Sequence, residues 1–416
     1  MTDHQVLERR VRAGLWKRID RLSVRKRLHR RYDAAGYRRR PASILGEGSG
    51  TGPTVVHVAN FASNAGDILL PVVLRDLFVH QLGPIRWVPQ HAHRHVGPAE
   101  LEAIDAARGT IIGGGGLFLR DSNPDSASGW QWDCSIEALR SIRTPLAVFA
   151  VGYNQFRAQA GFSDRFDAHV ALLVEKAAFT GLRNTGSIGL LHRHLPEELH
   201  ERVRYQPCMT TVAGLLYPDL DAAAPGARTG VGYLALNAAF DRAANRFEGN
   251  ERQVLATLAE AVRDLSADVE VRYFAHTRQD EWMLPYLRAA GVDASVVRLY
   301  RMSAAEVLRQ YAGAAVAVGM RGHAQMVPFG VGVPILSLVS HDKLRFFLDD
   351  VDMADAAIEL VQPDLRDHLV TATRAILADP VPAADRVVAA RARLWDVTTA
   401  NVATVGAALG FDRVGG

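Results

Sequence analysis

Cysteine is scarce in this sequence, which contains only Cys134 and Cys208 among its 416 residues. Two cysteines cannot build a disulfide framework and are typical of a protein in the reducing cytoplasm. Long apolar runs are also missing: residues 312–320 and 333–339 have the length of a strand, well short of the ~20 residues that span a bilayer. Basic residues interrupt every apolar stretch near the N-terminus, which argues against a secretory signal. We therefore expect a cytoplasmic protein.

Positive charge is concentrated in a basic arm, residues 1–40, which holds 14 Lys and Arg against 4 Asp and Glu. The rest of the chain holds 34 basic and 41 acidic residues. Apolar side chains recur in the arm at helical spacing, namely Val11, Leu15, Trp16, Ile19 and Leu22. The pattern suits an amphipathic helix on an anionic membrane surface, which for a cytoplasmic protein is the inner membrane face. A solvated or partner-packed helix is the alternative. No aromatic-rich sheet motif or zinc spacing accompanies it, so we expect no nucleic-acid binding.

After a glycine-rich linker at residues 46–52, short apolar stretches alternate with amphipathic helical patterns. The stretches are almost continuously apolar, which is typical of strands covered on both faces in a parallel sheet. The first series of predicted strands comprises residues 54–59, 109–112, 145–151, 178–182 and 202–205. The second series comprises residues 231–236, 269–275, 296–299, 315–319 and 333–339.

The sequence thus predicts an α/β fold with two Rossmann-like, doubly wound parallel-sheet domains facing a cleft, and a basic helical arm in front. The predicted boundaries are 1–45 for the arm and linker, 53–215 and 228–382 for the N- and C-terminal domains, and 383–416 for a closing helical region. Ligands of such folds bind outside the carboxyl ends of the strands. Polar residues at strand ends are therefore the candidates for a site.

Four consecutive glycines follow the predicted strand at residues 109–112: Gly113, Gly114, Gly115 and Gly116. Glycine lets the backbone approach a ligand closely, and successive N–H groups can cradle an anion. Tight packing of strand on helix is the alternative. No Gly-Lys-Ser/Thr follows the run, so it is not the phosphate loop of an ATPase.

Other strand ends in both domains carry polar and charged side chains. Asn64 and Asp67 stand at the start of a helix, where N-capping is the alternative role. Arg183 and Arg321 each follow a strand, which suits bidentate binding of a carboxylate or a phosphate. The remaining candidates at strand ends are Asn154, Asn184, Ser187, His276, His323, His341 and Lys343.

Motifs for metal binding and for nucleophilic hydrolysis are missing. His91, His93 and His95 alternate but lack a carboxylate or cysteine partner in their apparent loop, so we expect no metal site. The sequence contains no Gly-x-Ser-x-Gly elbow, which argues against a serine hydrolase of that type.

Four segments together resemble the polysaccharide pyruvyl transferase family: NAGDILL from residue 64, GGGGLFLRD from 113, GLRNTGS from 181 and MRGHAQMVPFGVGVPILSLVSHDKLRFF from 320. The last segment is the most specific, because Arg321, His323, Pro334 and Lys343 occur in the family's order and spacing. The resemblance runs from about residue 55 to residue 350. It implies a glycosyltransferase-like (GT-B-like) pair of domains, phosphoenolpyruvate as donor, and a pyruvate ketal on a cell-surface glycan or its lipid-linked precursor as product.

Phosphoenolpyruvate carries a phosphate and a carboxylate, so its site needs cationic side chains and backbone donors. Arg183, Arg321 and Lys343 are the candidate cations, and Gly114, Gly115 and Gly116 the candidate backbone donors. We expect His323, with a pKa near neutral, to be the general acid and Asp67 the general base. The scheme requires no metal and no cofactor.

One position departs from the family pattern, since Gln206-Pro207-Cys208 stands where an Asp-Pro pair is usual. Two alternatives therefore stay open. One is a GT-B-type glycosyltransferase using a nucleotide sugar, with Asp342 as the carboxylate near the ribose. The other is a non-catalytic glycan- or membrane-binding protein.

Overall fold

The computed structural model of the chain describes residues 52–61, 64–156, 159–223 and 232–411. The predicted basic arm and nearly all of the glycine-rich linker lie outside these residues. The described chain forms two six-stranded sheets flanked by helices, and every strand pairing is parallel. This confirms the predicted α/β fold of two Rossmann-like units.

The first sheet has the strand order β2-β1-β3-β4-β5-β6. Its strands are β1 (Thr54–Ala59), β2 (Arg86–His91), β3 (Gly109–Phe118), β4 (Leu146–Tyr153), β5 (Phe179–Leu182) and β6 (Val203–Tyr205). Its helices are α1 (Ala65–Leu82), α2 (Pro98–Ala106), α3 (Ile136–Ser141), α4 (Asp164–Lys176), α5 (Thr185–His192) and α6 (Ala213–Leu216). The four inner strands β1, β3, β4 and β5 are buried almost throughout because helices cover both faces of the sheet, whereas the edge strands β2 and β6 are partly exposed.

The second sheet has the order β12-β11-β10-β7-β8-β9. Its strands are β7 (Tyr233–Asn237), β8 (Val271–Ala275), β9 (Ser295–Arg298), β10 (Ala314–Gly319), β11 (Ile335–Val339) and β12 (Ala357–Glu359). The helices that accompany it are α7 (Ala243–Phe247), α8 (Glu251–Leu265), α9 (Leu284–Ala290), α10 (Ala304–Ala312), α11 (Gly322–Gly330), α12 (Asp342–Asp350) and α13 (Leu365–Ala378). Ser303 and Glu306 form a capping box at the start of α10.

The closing helix α14 (Val381–Ala408) packs back against the first sheet's helices. Its Gly406 lies against Leu82 of α1, and Arg108 donates to the carbonyl of Gly410 just beyond the helix. The C-terminal helix therefore ties the two halves of the chain together. No helix among the described residues is both long enough and apolar enough to cross a bilayer.

The glycine run corrects one prediction, because it lies inside β3 and not in a loop after it. Gly114 and Gly115 have φ values of +80° and +88°, and the pairing with β4 shifts register after Gly115. Glycine adopts positive φ without strain, so the strand continues through a bulge where another residue would end it. Strands β2 and β12 were not predicted: β2 contains Pro89, and β12 has only 3 residues.

Candidate active site

A cleft of about 640 Å³ lies between the two sheets at the carboxyl ends of their strands. This volume is typical of small-ligand sites. The structure brings most of the sequence-predicted residues to its wall: Asn64, Asp67, Gly115, Gly116, Asn154, Arg183, Arg321, His323 and Lys343. Both halves of the chain therefore contribute to one site.

Several predicted residues do not line the cleft, namely Gly113, Gly114, Asn184, Ser187, His276 and His341. Gly114 lies on Leu70 of α1. Asn184 caps α5 by accepting from the N–H of Ser187, whose hydroxyl accepts from the N–H of Tyr153. His276 is buried, contacts the Tyr311 hydroxyl at 2.6 Å through Nε2, and accepts through its carbonyl from the N–H of Ala65. These side chains fix the ends of strands and helices around the site.

The first turn of α1 brings Asp67 next to the second sheet. Asn64 caps this helix by accepting from the N–H of Gly66. A Cβ at position 66 would lie 2.0 Å from Nδ1 of His323, so only glycine lets the two halves approach here. The helix start and the His323 imidazole consequently pack against each other across the cleft.

The cleft shifts the pKa values of Asp67 and His323 in opposite directions. Burial raises the pKa of Asp67 to about 7, although Arg321, Lys343 and Arg183 act against the shift. Burial lowers the pKa of His323 to about 3, and the charges of Arg183 and Lys343 add to the effect. The expectation of a near-neutral pKa for His323 is therefore wrong for the ligand-free protein, because the imidazole is buried and, in addition, three cations surround it. Asp67 instead titrates near neutral pH.

Arg183 and Lys343 are cations without a carboxylate partner among the described residues. Arg183 is buried against Gly152 and donates through Nη2 to Oδ1 of Asn154 at 3.0 Å. Its Nε is buried and has no hydrogen-bond partner. Burial, and next the charge of Arg183, hold the pKa of Lys343 well below its usual value. An anion bound between these two side chains would offset the repulsion between their charges and raise the pKa of Lys343.

Arg321, in contrast, is already neutralised by two carboxylates. Its Nε donates to Asp280 at 3.0 Å, and its Nη1 lies 2.8 Å from Asp241. Burial opposes the charged form, but Asp241 and Asp280 outweigh it and hold the pKa of Arg321 above its usual value. The predicted direct role of Arg321 in donor binding is thus less favoured than a role in holding these two carboxylates.

A further charged group was missed by the sequence reasoning. Asp241, Arg242 and Arg246 follow β7 and line the cleft. Arg246 pairs with Asp241 at 2.9 Å, and Arg242 with Asp121 of the first half at 3.0 Å. Their position just after a strand is the signal that could have identified them.

Phe156 inserts between these cations from the first half. Its ring lies 4.6 Å from the ring of His341, in a stacked arrangement. The guanidinium groups of Arg242 and Arg246 lie 4.8 and 5.1 Å from its centroid, and the Lys343 ammonium 5.6 Å. Cation–π attraction thus couples the two halves beside the site.

The departure from the family pattern at Gln206 does not reach the cleft. Gln206 is buried and accepts through Oε1 from Asn401 of α14 at 3.0 Å. Its Nε2 donates to the carbonyl of Pro207 at 2.7 Å. The residue thus contributes to the packing of the closing helix.

The alternating histidines hydrogen-bond to different partners. His93 contacts Oε1 of Gln131 at 3.3 Å, and His95 contacts Asp133 at 3.3 Å. Across the described ranges no three His, Cys, Asp or Glu side chains gather into a group that could hold a metal ion.

One similar solved structure supports the fold. The chain is similar to UDP-GlcNAc 2-epimerase from Neisseria meningitidis bound to UDP-GlcNAc, with a TM-score of 0.50 and 10% identity over 85% of this chain and 99% of that chain. A UDP-GlcNAc 2-epimerase from Methanocaldococcus jannaschii aligns with a TM-score of 0.47 and 11% identity over 78% of this chain and 92% of that chain. No curated protein sequence matches the chain.

The sequence profile of the polysaccharide pyruvyl transferase family matches residues 64–342, which is more than half of the chain. The match begins at the cap of α1 and ends at the start of α12, so it spans both sheets and the cleft between them. This protein therefore belongs to the polysaccharide pyruvyl transferase family, whose members are transferases that act on glycans.

Proposed function

We propose that this protein transfers the pyruvyl group of phosphoenolpyruvate to two hydroxyls of a cell-surface glycan or its lipid-linked precursor, forming a ketal. The observation that carries the proposal is the pair Arg183 and Lys343, two cleft cations without a carboxylate partner in the described chain. Beside them stand a carboxyl group and an imidazole, Asp67 and His323, with shifted pKa values. A small dianionic or trianionic donor and acid–base chemistry fit this arrangement.

The donor's two anionic groups match what the cleft offers. Arg183 can present Nη1 to one anionic group while its Nη2 stays with Asn154. Lys343 supplies a compact charge for the other group. Donor binding also favours the charged form of Lys343, which the ligand-free cleft disfavours.

The shifted pKa values support roles opposite to those that the sequence suggested. Asp67, as a carboxylic acid, delivers its proton to the methylene carbon of the donor, and the central carbon becomes electrophilic. Neutral His323 takes the proton of the first sugar hydroxyl as its oxygen bonds to that carbon. The product of this step is a tetrahedral adduct that still carries the phosphate.

The second half of the reaction returns Asp67 and His323 to their starting protonation states. The bond between the central carbon and the bridging oxygen breaks, and protonated His323 gives its proton to the departing phosphate. The second sugar hydroxyl attacks the same carbon, and the Asp67 carboxylate takes its proton. One proton thus ends on the new methyl group and one on phosphate, while Asp67 and His323 return to their starting forms.

Ligand-dependent melting separates this proposal from its main rival. Phosphoenolpyruvate is expected to raise the melting temperature in a concentration-dependent way, since a ligand at 100 times its Kd stabilises by about 2.7 kcal/mol. A nucleotide-sugar transferase would instead respond to UDP-GlcNAc. Asp342, its candidate for the ribose, does not line the main cleft but an adjoining cavity that shares Phe156 and Lys343 with it. Stabilisation by UDP-GlcNAc alone would contradict the proposal, and no response to either ligand would favour a non-catalytic binding protein.

We propose further that the basic arm holds the enzyme at the cytoplasmic membrane face, where lipid-linked acceptors are found. Each Lys or Arg near an anionic surface contributes about 1 kcal/mol, and salt screens this attraction. Full-length protein should therefore sediment with anionic vesicles at low salt and much less at 1 M salt, where the Debye length is about 3 Å. Deletion of residues 1–40 should abolish sedimentation at both salt concentrations. Equal sedimentation of the two forms would contradict the anchoring role.

A further inference from the structure

The glycine bulge, residues 113–116, carries β3 from the sheet into the cleft. The pairing of β3 with β1 ends at Ile112, and Gly115 and Gly116 line the cleft. Glycine restricts its own backbone less than any other residue, so contacts from outside the bulge are needed to hold it in one conformation. The structure provides such a contact at each end of the bulge.

Asn154 holds the end of the bulge nearest the cleft. The carbonyl of Gly116 accepts from Nδ2 of Asn154 at 3.1 Å and from Nε2 of Gln131 at 3.2 Å. A Cβ at position 116 would clash with Nδ2 of Asn154, so only glycine allows this approach. Because Nδ2 of Asn154 donates to Gly116, its Oδ1 is turned toward Arg183, whose Nη2 donates to it at 3.0 Å. The orientation of Arg183 therefore depends on where the carbonyl of Gly116 lies.

His57, on β1, holds the other end of the bulge. Its imidazole is fully buried, and Nε2 lies 3.0 Å from the carbonyl of Gly113. Burial, and next the charge of Arg75, lower the pKa of His57 to about 3, so the imidazole is neutral at physiological pH. Nε of Arg75 lies 3.2 Å from Nδ1 of His57, and since a guanidinium only donates, Nδ1 is the acceptor. The proton of the imidazole is therefore on Nε2, which donates to the carbonyl of Gly113.

We infer that His57 is a positioning residue: by holding Gly113 it fixes the glycine bulge, and the bulge in turn orients the amide that meets Arg183. The inference deepens the proposed function and rests on it, since Arg183 is there assigned to the donor. His57 itself does not line the cleft. Without its N–H, a buried carbonyl would lose a hydrogen bond at a point where the glycine backbone is free to move. A role in core packing alone would instead lower stability and leave donor affinity unchanged.

Calorimetric titration of phosphoenolpyruvate into the full chain tests the inference with three variants. His57→Met fills the volume but removes the donor, and we expect a Kd about tenfold higher than in wild type. His57→Gln should stay within about twofold of wild type, because its amide can donate to Gly113 and accept from Arg75. His169→Met is the matched control, since His169 is also a fully buried imidazole, accepts from Trp130 and does not line the cleft. It should lose stability in urea while its Kd for phosphoenolpyruvate stays unchanged.

Amide NMR spectra of the ligand-free protein report on the bulge directly. In His57→Met, the backbone signals of Gly115 and Gly116 and the side-chain signal of Asn154 should move or broaden. In His57→Gln the same signals should stay near their wild-type positions. The nitrogen spectrum of His57 in the wild type should show a proton on Nε2 and none on Nδ1, a measurement that does not require His57→Met to fold.

Four results would overturn the inference: equal Kd values in wild type and His57→Met, equal losses of affinity in His57→Met and His169→Met, no rescue by His57→Gln, or a proton on Nδ1 of His57. Failure of the proposed function has a different signature. If phosphoenolpyruvate does not bind to the wild type, the donor proposal fails, and the signals of Gly116 and Asn154 alone decide whether His57 holds the bulge. If it binds to wild type and to His57→Met alike, only the positioning role fails.

Discussion

Asp67→Asn is expected to lower turnover by about 10²- to 10⁴-fold while phosphoenolpyruvate still binds, because general acid catalysis contributes rate factors of that size. The amide keeps the shape of the side chain but has no proton to deliver to the methylene carbon. Turnover is measured as phosphate release from phosphoenolpyruvate in the presence of acceptor glycan. Asp164→Asn is the matched control, because Asp164 also lies in the first turn of a helix and does not line the cleft.

The pH profile identifies which group is the acid. A general acid must be protonated, so kcat/KM should fall as pH rises above the pKa of Asp67, about 7 in the free enzyme. Asp67→Asn should lose this dependence, apart from any contribution of the donor's own phosphate. If His323→Gln removes the dependence and Asp67→Asn retains it, the two residues have the roles that the sequence suggested. Unchanged turnover in Asp67→Asn would remove Asp67 from the mechanism.

The sequence predicted the fold well because its strands are buried on both faces. Apolar runs of strand length separated by helical patterns leave few alternatives to a parallel sheet, and five predicted strands in each sheet are present. Strand β2 was not predicted because it contains Pro89, and a proline usually marks an edge strand or a turn. The structure shows that β2 is an edge strand. The glycine run was misplaced because a bulge within a strand and a loop after it have the same composition.

The site was predicted less completely, since its electrostatics depend on contacts between distant segments. The position after a strand identified Arg183 and Arg321 as equivalent candidates. Only the fold shows that Arg321 is neutralised by Asp280, which lies 41 residues away in the sequence. The pKa of His323 likewise depends on Arg183, which comes from the other sheet. Burial and charge at such a cleft are properties of the assembled chain and leave no local pattern in the sequence.

Replacing Arg321 and replacing Arg183 are expected to have different effects on the free energy of unfolding. Methionine fills the volume of the side chain and removes the charge. In Arg321→Met, the buried carboxylate of Asp280 loses the cation that pairs with it, and Asp241 loses one of its partners. The free energy of unfolding should therefore fall by about 3 to 5 kcal/mol. In Arg183→Met no described carboxylate loses a partner, and burial already lowers the pKa of the guanidinium. Its free energy of unfolding should stay the same or rise, which urea denaturation of both variants will show.

Arg183→Met should weaken phosphoenolpyruvate binding far more than it changes the free energy of unfolding. Removing one side of a buried, hydrogen-bonded charge contact costs about 2 to 5 kcal/mol, which corresponds to a roughly 30- to 4,000-fold weaker Kd for phosphoenolpyruvate. The measurement is calorimetric titration of phosphoenolpyruvate into wild type, Arg183→Met and Asn154→Ala. The last variant keeps the cation but removes the amide that orients it, so its loss should be smaller. A protein that is destabilised by Arg183→Met yet binds phosphoenolpyruvate as wild type does would show that Arg183 has a structural role. In that case the donor site would have to be built around Lys343 without it.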